Sequence, residues 1–404
     1  MQDRRNFLKK SLLALTGAGM AHHAISSRHS GPLSGDRDQH FIYRELGNSG
    51  VRVPVISMGT GNCDNPNLVR EALDRGVKLL ATHEFYLNGN NEKMVGRVLQ
   101  DRPRDSCMIL TGTGEGLDID FQSGRFGPET NLDVYLEGVH GCLERLQVDH
   151  VDILNAPYAG SRDAVFYEPL LKALESLKKL GKVRFLGMAS HNLEHEAIRA
   201  AADTGVYDMV TIAYNFRKQN IQAMNRAMQY AADKGLGIIG MKTMAGVYWD
   251  KQQQRSINTR AALKWVLQNE NIHTTIPDCS SFEELQQDLD IMGDMGLTEE
   301  EWRDLTPPEG DNSTGLYCQQ CQECLAQCPG NIDIPTLMRS YMYAYGYHNM
   351  RLACQTIHTA RQKPLSCHDC RECRVDCAMG FDVRQKLLDI ERIKEIPEDL
   401  ILFA

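Results

Sequence analysis

Between residue 41 and about residue 300, a short apolar run followed by a longer amphipathic stretch recurs eight times. The runs are VPVISMG, VKLLATH, CMILTGT, VDILNAP, VRFLGMAS, DMVTIAY, GIIGMKT and HTTIP. Continuous apolar runs of this length read as buried strands, and the stretches after them carry helical periodicity, often closed by glycine. In NLDVYLEGVHGCLERL, Leu132, Leu136, Val139 and Leu143 fall on one helical face. Eight strand–helix units over roughly 260 residues fit a closed (β/α)8 barrel. An open doubly wound sheet rarely needs eight parallel units. The barrel reading puts any chemistry at the C-terminal ends of the strands.

The chain has 404 residues and a formal charge of -9, which argues against nonspecific nucleic-acid binding. Its first residues read MQDRRNFLKKSLLALTGAGMA, with basic, weakly apolar and small-residue zones in that order. This pattern resembles a twin-arginine export signal over residues 1–24, with cleavage after Ala21 or Ala24, or retention as an anchor. The apolar run is too short and glycine-rich to span a bilayer as a mature helix. A polar linker, 25–40, follows. The expectation is export to the periplasm or cell envelope; a frayed basic terminus on a cytoplasmic protein is the plain alternative.

Eight of the 13 cysteines stand in two runs. Cys318, Cys321, Cys324 and Cys328 precede Pro329; Cys367, Cys370, Cys373 and Cys377 precede Ala378. Both have the spacing C-x2-C-x2-C-x3-C, that of bacterial ferredoxins with two [4Fe-4S] clusters. In that arrangement the fourth cysteine of each run serves the other cluster. The expected sets are Cys318, Cys321, Cys324 with Cys377, and Cys367, Cys370, Cys373 with Cys328. Two four-cysteine zinc sites are the alternative, but zinc sites favour two separated C-x2-C pairs. A purely stapling role for the clusters also stays open. The segment between the runs reads as one helix with Tyr341, Tyr343, Tyr345 and Tyr347, its rings packed over cluster and barrel rather than forming an electron path. Cys354 in this segment, and Cys63, Cys107, Cys142 and Cys279 elsewhere, read as buried structural thiols.

YLNGNNEKMVGRVL, GKVRFLGMASHN, AYNFRKQN and AALKWVLQNENIHTTIP resemble, in order, segments of the aldo-keto reductases, and the cysteine tail resembles that of an iron–sulfur branch of the family. The resemblance implies a barrel over 41–305 and a ferredoxin-type domain over 311–395. It also implies a catalytic tyrosine, Tyr86, supported by an aspartate, a lysine and a histidine. Those three positions hold Ala81, Gly112 and Pro157, which supply neither charge nor a side-chain proton. The nicotinamide positions have drifted to Ala189, Ser190 and Thr211; Ser190, His191 and Asn215 are the candidate cofactor contacts that remain. Asp278, Glu284 and Asp288 stand where the family often grips the 2'-phosphate of NADP with basic and amide residues. Carboxylates there repel a phosphate, so NADP is disfavoured and NAD is left open. Lys242 is the candidate partner of Tyr86. His83, Glu84 and Asn192 are further polar rim residues, and TGTGEGLDIDFQSGRFG reads as a long rim loop, a candidate lid.

Two functions follow. One is an iron–sulfur oxidoreductase that passes electrons between two clusters and a small organic substrate at the rim, with an external electron donor or acceptor protein. The other is a non-catalytic barrel that serves as a binding or docking module.

Overall fold

The computed structural model describes residues 41–120, 123–157, 160–250, 252–307, 315–360, 367, 370 and 373–396. The candidate signal and linker lie outside the described residues.

Eight parallel strands form the sheet expected from the repeats: β1 (Met58–Gly59), β2 (Leu79–Ala81), β3 (Met108–Gly112), β4 (Val151–Ala156), β5 (Val183–Ser190), β6 (Met209–Ala213), β7 (Gly237–Met241) and β8 (Thr274–Thr275). Neighbours in sequence are neighbours in the sheet, in register pairs such as Leu154 with Leu186 and Val210 with Ile238. Bridges from Ile56 to Thr275 and from Gly59 to Asp278 join the last strand to the first and close the barrel. A hairpin, Tyr43–Glu45 with Arg52–Pro54, precedes β1. Its Leu46 and Val53 pack with Leu79, Leu110, Ile153, Met209 and Ile239 to fill the barrel interior.

The helices behind the strands are α1 (Pro66–Asp74), α2 (Asn90–Leu99), α3 (Leu132–Leu146), α4 (Glu168–Lys179), α5 (Glu194–Thr204), α6 (Ile221–Asp233), α7 (Thr259–Leu267), α8 (Phe282–Gly293) and α9 (Glu299–Asp304). On α3, Val139 and Leu143 are buried, and Leu132 and Leu136 pack half-buried against the same core. Asn131 starts this helix by accepting hydrogen bonds from the amides of Asp133 and Val134. The long loop after β3 is not structureless: it contains a two-stranded turn, Ile119–Asp120 with Arg125–Phe126.

Three helices follow the barrel: α10 (Ile334–Tyr345), α11 (Met350–Thr359) and α12 (Val383–Glu391). The single helix expected between the cysteine runs is therefore two. The break comes at Gly346 to Asn349, where His348 adopts φ 52° and the Asn349 side chain accepts from the Leu352 amide at 2.9 Å to start α11. The turn lets α10 and α11 pack on each other, tied by a hydrogen bond from Ser340 Oγ to the Ala353 carbonyl at 2.7 Å. Their core of Leu337, Met342, Tyr343 and Ile357 is continuous with Ala245, Trp249 and Ala261 of the barrel. No helix among the described residues is long and apolar enough to cross a membrane.

The C-terminal domain sits on the C-terminal rim of the barrel. Gln319 Nε2 donates to the Arg217 carbonyl after β6 at 2.6 Å. The Gly246 amide after β7 donates to the Tyr347 hydroxyl at 3.4 Å, and Gln253 Nε2 donates to the Tyr345 carbonyl at 2.6 Å. From α11, Gln355 Nε2 donates to the Phe85 carbonyl and to Asn88 Oδ1 after β2.

Candidate active site and cysteine cavities

The loop after β2 divides the rim. Its conformation is fixed locally: the Phe85 amide donates to His83 Nδ1 at 3.3 Å and the Glu84 amide to the Gly112 carbonyl at 3.2 Å. Leu87 and Asn88 then take left-handed backbone angles. Behind it, Thr60 and Thr82 both donate to Asn91 Oδ1 at 2.7 Å, a buried tie between β1, β2 and α2. His83, Glu84 and Phe85 line one cavity, and Tyr86 lines another.

The first cavity is a cleft of about 560 Å³ between the ends of β2 to β5 and the C-terminal domain. His83, Glu84, Glu115 and His191 line it from the barrel; Gln320 and Arg339 line it from the opposite side. Pro157, at the expected histidine position, also faces it. A Cβ placed on Gly112 would lie 3.3 Å from His83 Nε2. The His83 ring thus lies over the expected lysine position. Burial, and then the Arg145 charge, push His83 down to about 3, so its imidazole is neutral at physiological pH. His191 is also held well below the usual histidine range, by burial first and then by Arg339 and Lys242. Glu84 behaves oppositely. Burial and its hydrogen bond to Glu115 raise it to about 7, against the Gly114 amide that donates to it at 3.3 Å.

The second cavity, about 330 Å³, lies over the ends of β1, β7 and β8. Tyr86, Lys242, Asp278, Asp288 and Tyr347 are among its walls. Gly61 gives the Tyr86 ring its place, since a Cβ there would lie 3.0 Å from Tyr86 Cζ. Lys242 has φ 54°, and its carbonyl accepts from Asn215 Nδ2 at 3.0 Å. Its ammonium lies 4.5 Å from the centre of the Tyr343 ring. Burial works against the Lys242 charge, but Tyr343, Tyr86 and Asp278 outweigh it and hold its affinity for a proton above the ordinary lysine value. Asp278 Oδ1 accepts from the Gly61 amide at 3.0 Å. Asp288 differs from expectation: it is buried, and burial and Glu284 raise it to about 8. At neutral pH it is largely protonated and does not repel a phosphate; burial raises Asp278 as well, against the Lys242 charge and the Gly61 amide.

Of the candidate cofactor contacts, Ser190 is buried and donates to the Asn192 carbonyl at 2.7 Å, and His191 is buried at the cleft wall. Asn215 is fully buried and braces the turns after β6 and β7, accepting from the Arg217 amide at 3.1 Å. Sequence reasoning missed the ion pair beside it. Lys218 Nζ meets Glu194 Oε1 at 2.5 Å, with side chains 1% and 2% exposed, and Tyr317 joins them. Nothing in the local sequence marks two charges 24 residues apart as partners. Next to this network a small pocket is shared by His191, Lys242, Cys318, Gln320 and Arg339.

The cysteines form two groups. Cys377 lies beside Cys318, Cys321 and Cys324; Cys328 lies beside Cys367, Cys370 and Cys373. The second group borders a cavity of about 420 Å³ closed by Pro329, Ile334 and Leu387. Burial pushes Cys318 and Cys324 up to about 12 and Cys367 to about 11, and the neighbouring thiols add to each shift. Gathered thiolates of this kind need a cationic core to stay ionised together. Among the described residues no three His, Cys, Asp or Glu converge on a point that a single ion would fill. Spacing and grouping fit a multi-iron core at both sets, and the cavity at the second set has room for one.

The model of the aldo/keto reductase family matches residues 64–261, and that of the 4Fe-4S dicluster domain matches residues 317–382. The chain carries an aldo/keto reductase domain and a 4Fe-4S dicluster domain. L-galactose dehydrogenase of Arabidopsis thaliana is 29% identical over 220 residues, covering 50% of this chain and 65% of that protein. An aldo-keto reductase of Alternaria alternata is 26% identical over 257 residues, 54% of this chain and 69% of that protein. The chain thus spans only about two-thirds of these relatives. Solved structures share the barrel. An aldo-keto reductase of Bacillus halodurans in its holo form has a TM-score of 0.52 at 19% identity, covering 66% of this chain and 95% of that one. One of Klebsiella pneumoniae in complex with NADPH scores 0.51 at 20% identity, covering 66% and 96%.

Within the aldo/keto reductase domain, the structure brings Tyr86 and Lys242 to one cavity, against Asp278. It separates them from Glu84 and His83, which face the cleft. The dicluster domain contributes walls to both cavities.

Proposed function

We propose that the protein is an iron–sulfur oxidoreductase that exchanges electrons between a small polar carbonyl or hydroxy compound at the barrel rim and an external one-electron carrier. The observation that carries this reading is the seat of the dicluster domain, with Cys318 bordering the same small pocket as His191 and Lys242. A stapling domain has no need to place a cluster ligand against the functional rim of a barrel. Each cysteine set would hold one [4Fe-4S] cluster, which when bound supplies one-electron transfer. Tyr86 and Lys242 form the acid–base pair at the rim; a fixed ammonium beside a tyrosine favours its ionised form.

NADPH binds the Klebsiella pneumoniae neighbour. For this chain, the losses at Ala81, Gly112 and Pro157 and the acidic Asp278 and Glu284 support chemistry without NADP. The same losses support the second reading, a non-catalytic barrel with stapling or electron-carrying clusters. For location, the arginine pair at Arg4 and Arg5 supports twin-arginine export, which a reporter fused behind residues 1–40 would test.

The test of function is reoxidation. Protein with intact clusters, reduced anaerobically with dithionite and freed of excess reductant, is mixed with dihydroxyacetone as the probe. Saturable recovery of cluster absorbance is expected; recovery that rises linearly with probe, or none, supports the non-catalytic reading.

A further inference from the structure

Lys242 borders two spaces. One is the cavity that also holds Tyr86 and Asp278; the other is the small pocket that Cys318 lines. The functional reading above uses the first for proton exchange. The second sets a fixed cation beside a cluster ligand. Its volume is about 20 Å³, room for about one water, so the groups around it stand close together. His191 and Lys242 reach it from the ends of β5 and β7, Cys318 and Gln320 from the first cysteine run, and Arg339 and Met342 from α10.

Both partners are held in place. The Lys242 ammonium points out of the barrel toward the dicluster domain, 4.5 Å from the centre of the Tyr343 ring on α10. Behind it, Asn215 holds the Lys242 carbonyl. On the other side, Gln319 is tied to the Arg217 carbonyl, and Gln320 Nε2 donates to the Pro335 carbonyl at 2.8 Å. The Gln320 amide donates to Cys318 Sγ at 3.5 Å. The other charges nearby are offset. Lys218 is paired with Glu194 at 2.5 Å, and Arg339 shares the cleft wall with Asp333. Glu323 is exposed, where water and salt screen it. Asp278 lies in the Tyr86 cavity, accepting from the Gly61 amide at 3.0 Å. The second cysteine set has a separate surrounding of Pro329, Ile334 and Leu387, with Arg374 and Arg384 as its cations. Arg374 is exposed, and Arg384 Nε donates to the Cys367 carbonyl at 3.3 Å.

We propose that Lys242 is also a positioning residue for electrons: its ammonium raises the reduction potential of the cluster held by Cys318, Cys321, Cys324 and Cys377, and so draws a single electron toward the rim. The purpose of that bias rests on the functional reading above. One-electron uptake adds one unit of negative charge at the group those four cysteines hold. A fixed cation in a poorly solvated place stabilises that added charge, and net charge and hydrogen bonds to sulfur are what set such a potential. The Gln320 amide acts in the same direction from the other side of Cys318. Because the cations around the second set are different residues, the two potentials are set independently.

The test is an anaerobic potentiometric titration read by electron paramagnetic resonance, with iron content measured alongside. It uses the holoprotein as wild type, Lys242→Met, Lys242→Gln, Lys242→Arg and Arg384→Gln. Two one-electron waves are expected in wild type. In Lys242→Met and Lys242→Gln one wave should move to lower potential by about 59 mV, which is about tenfold in its reduction equilibrium, while the other stays in place. Lys242→Arg keeps the cation and should keep the wild-type potentials. Arg384→Gln should leave the Lys242-sensitive wave where it is. Unmoved waves in the two uncharged variants, or two waves that move alike, overturn the tuning role. A wave that responds equally to Lys242 and to Arg384 overturns it too. Loss of iron from both uncharged variants also overturns it, since Lys242 would then hold the domain together instead of setting a potential. The potentials need neither substrate nor carrier, so they stand apart from the functional reading, which reoxidation by dihydroxyacetone decides.

Discussion

Two cavities lie on one barrel rim, divided by the four residues His83 to Tyr86, and they have diverged in different ways. The cleft over β2 to β5 has exchanged the expected lysine and histidine for Gly112 and Pro157, and has gained a neutral His83 and a carboxyl pair. The cavity over β7 and β8 keeps a tyrosine and presents a lysine, but Tyr347 and its neighbours from the dicluster domain now form part of its wall. The strands beneath are the same in both, since their packing is set by the barrel interior and the helical layer. A barrel can lose catalytic side chains from its loops without losing its concavity, because loops carry the chemistry and the core carries the fold.

The comparison can be broken most forcefully through the buried ion pair beside the small pocket that His191 and Lys242 share. Lys218→Met leaves Glu194 buried without its cation, and the expected loss is about 3–5 kcal/mol in chemical denaturation. Loss of stability with the dicluster domain still seated would show that the pair supports the barrel alone; limited proteolysis after the barrel reads this. Next in size is Tyr86→Phe, expected to slow reoxidation by about 10²-fold. Equal turnover would take Tyr86 out of the reaction and leave the cleft as the working cavity. The smallest effect is expected from Gln355→Ala, which removes two hydrogen bonds from α11 to the loop between the cavities. About 1 kcal/mol per bond is at stake, with faster amide exchange confined to residues near 83–89.

The barrel was legible because its signals are local: eight apolar runs, each followed by a helical face, need no knowledge of distant contacts. The cysteine grouping was legible because its spacing is itself a chemical pattern. Other features depend on where distant segments meet. Glu84 was readable only as a polar rim residue, because its partner Glu115 comes from a different loop. Lys218 and Glu194 look like ordinary surface charges until α5 and the turn after β6 bury them together. Asp288 reads as a surface carboxylate, yet burial leaves it largely protonated at neutral pH. The segment between the cysteine runs reads as one helix because Gly346 alone does not announce a break; the left-handed His348 and the Asn349 cap make it.

The central claim is that this rim works through its dicluster domain and not through a nicotinamide. The direct measurement adds NADH, then NADPH, then dithionite to anaerobic protein with its clusters intact, following cluster absorbance and nicotinamide oxidation together. Bleaching by dithionite alone is the predicted result. Bleaching by either nucleotide, matched by its oxidation, would contradict the account and return the β7–β8 cavity to hydride chemistry.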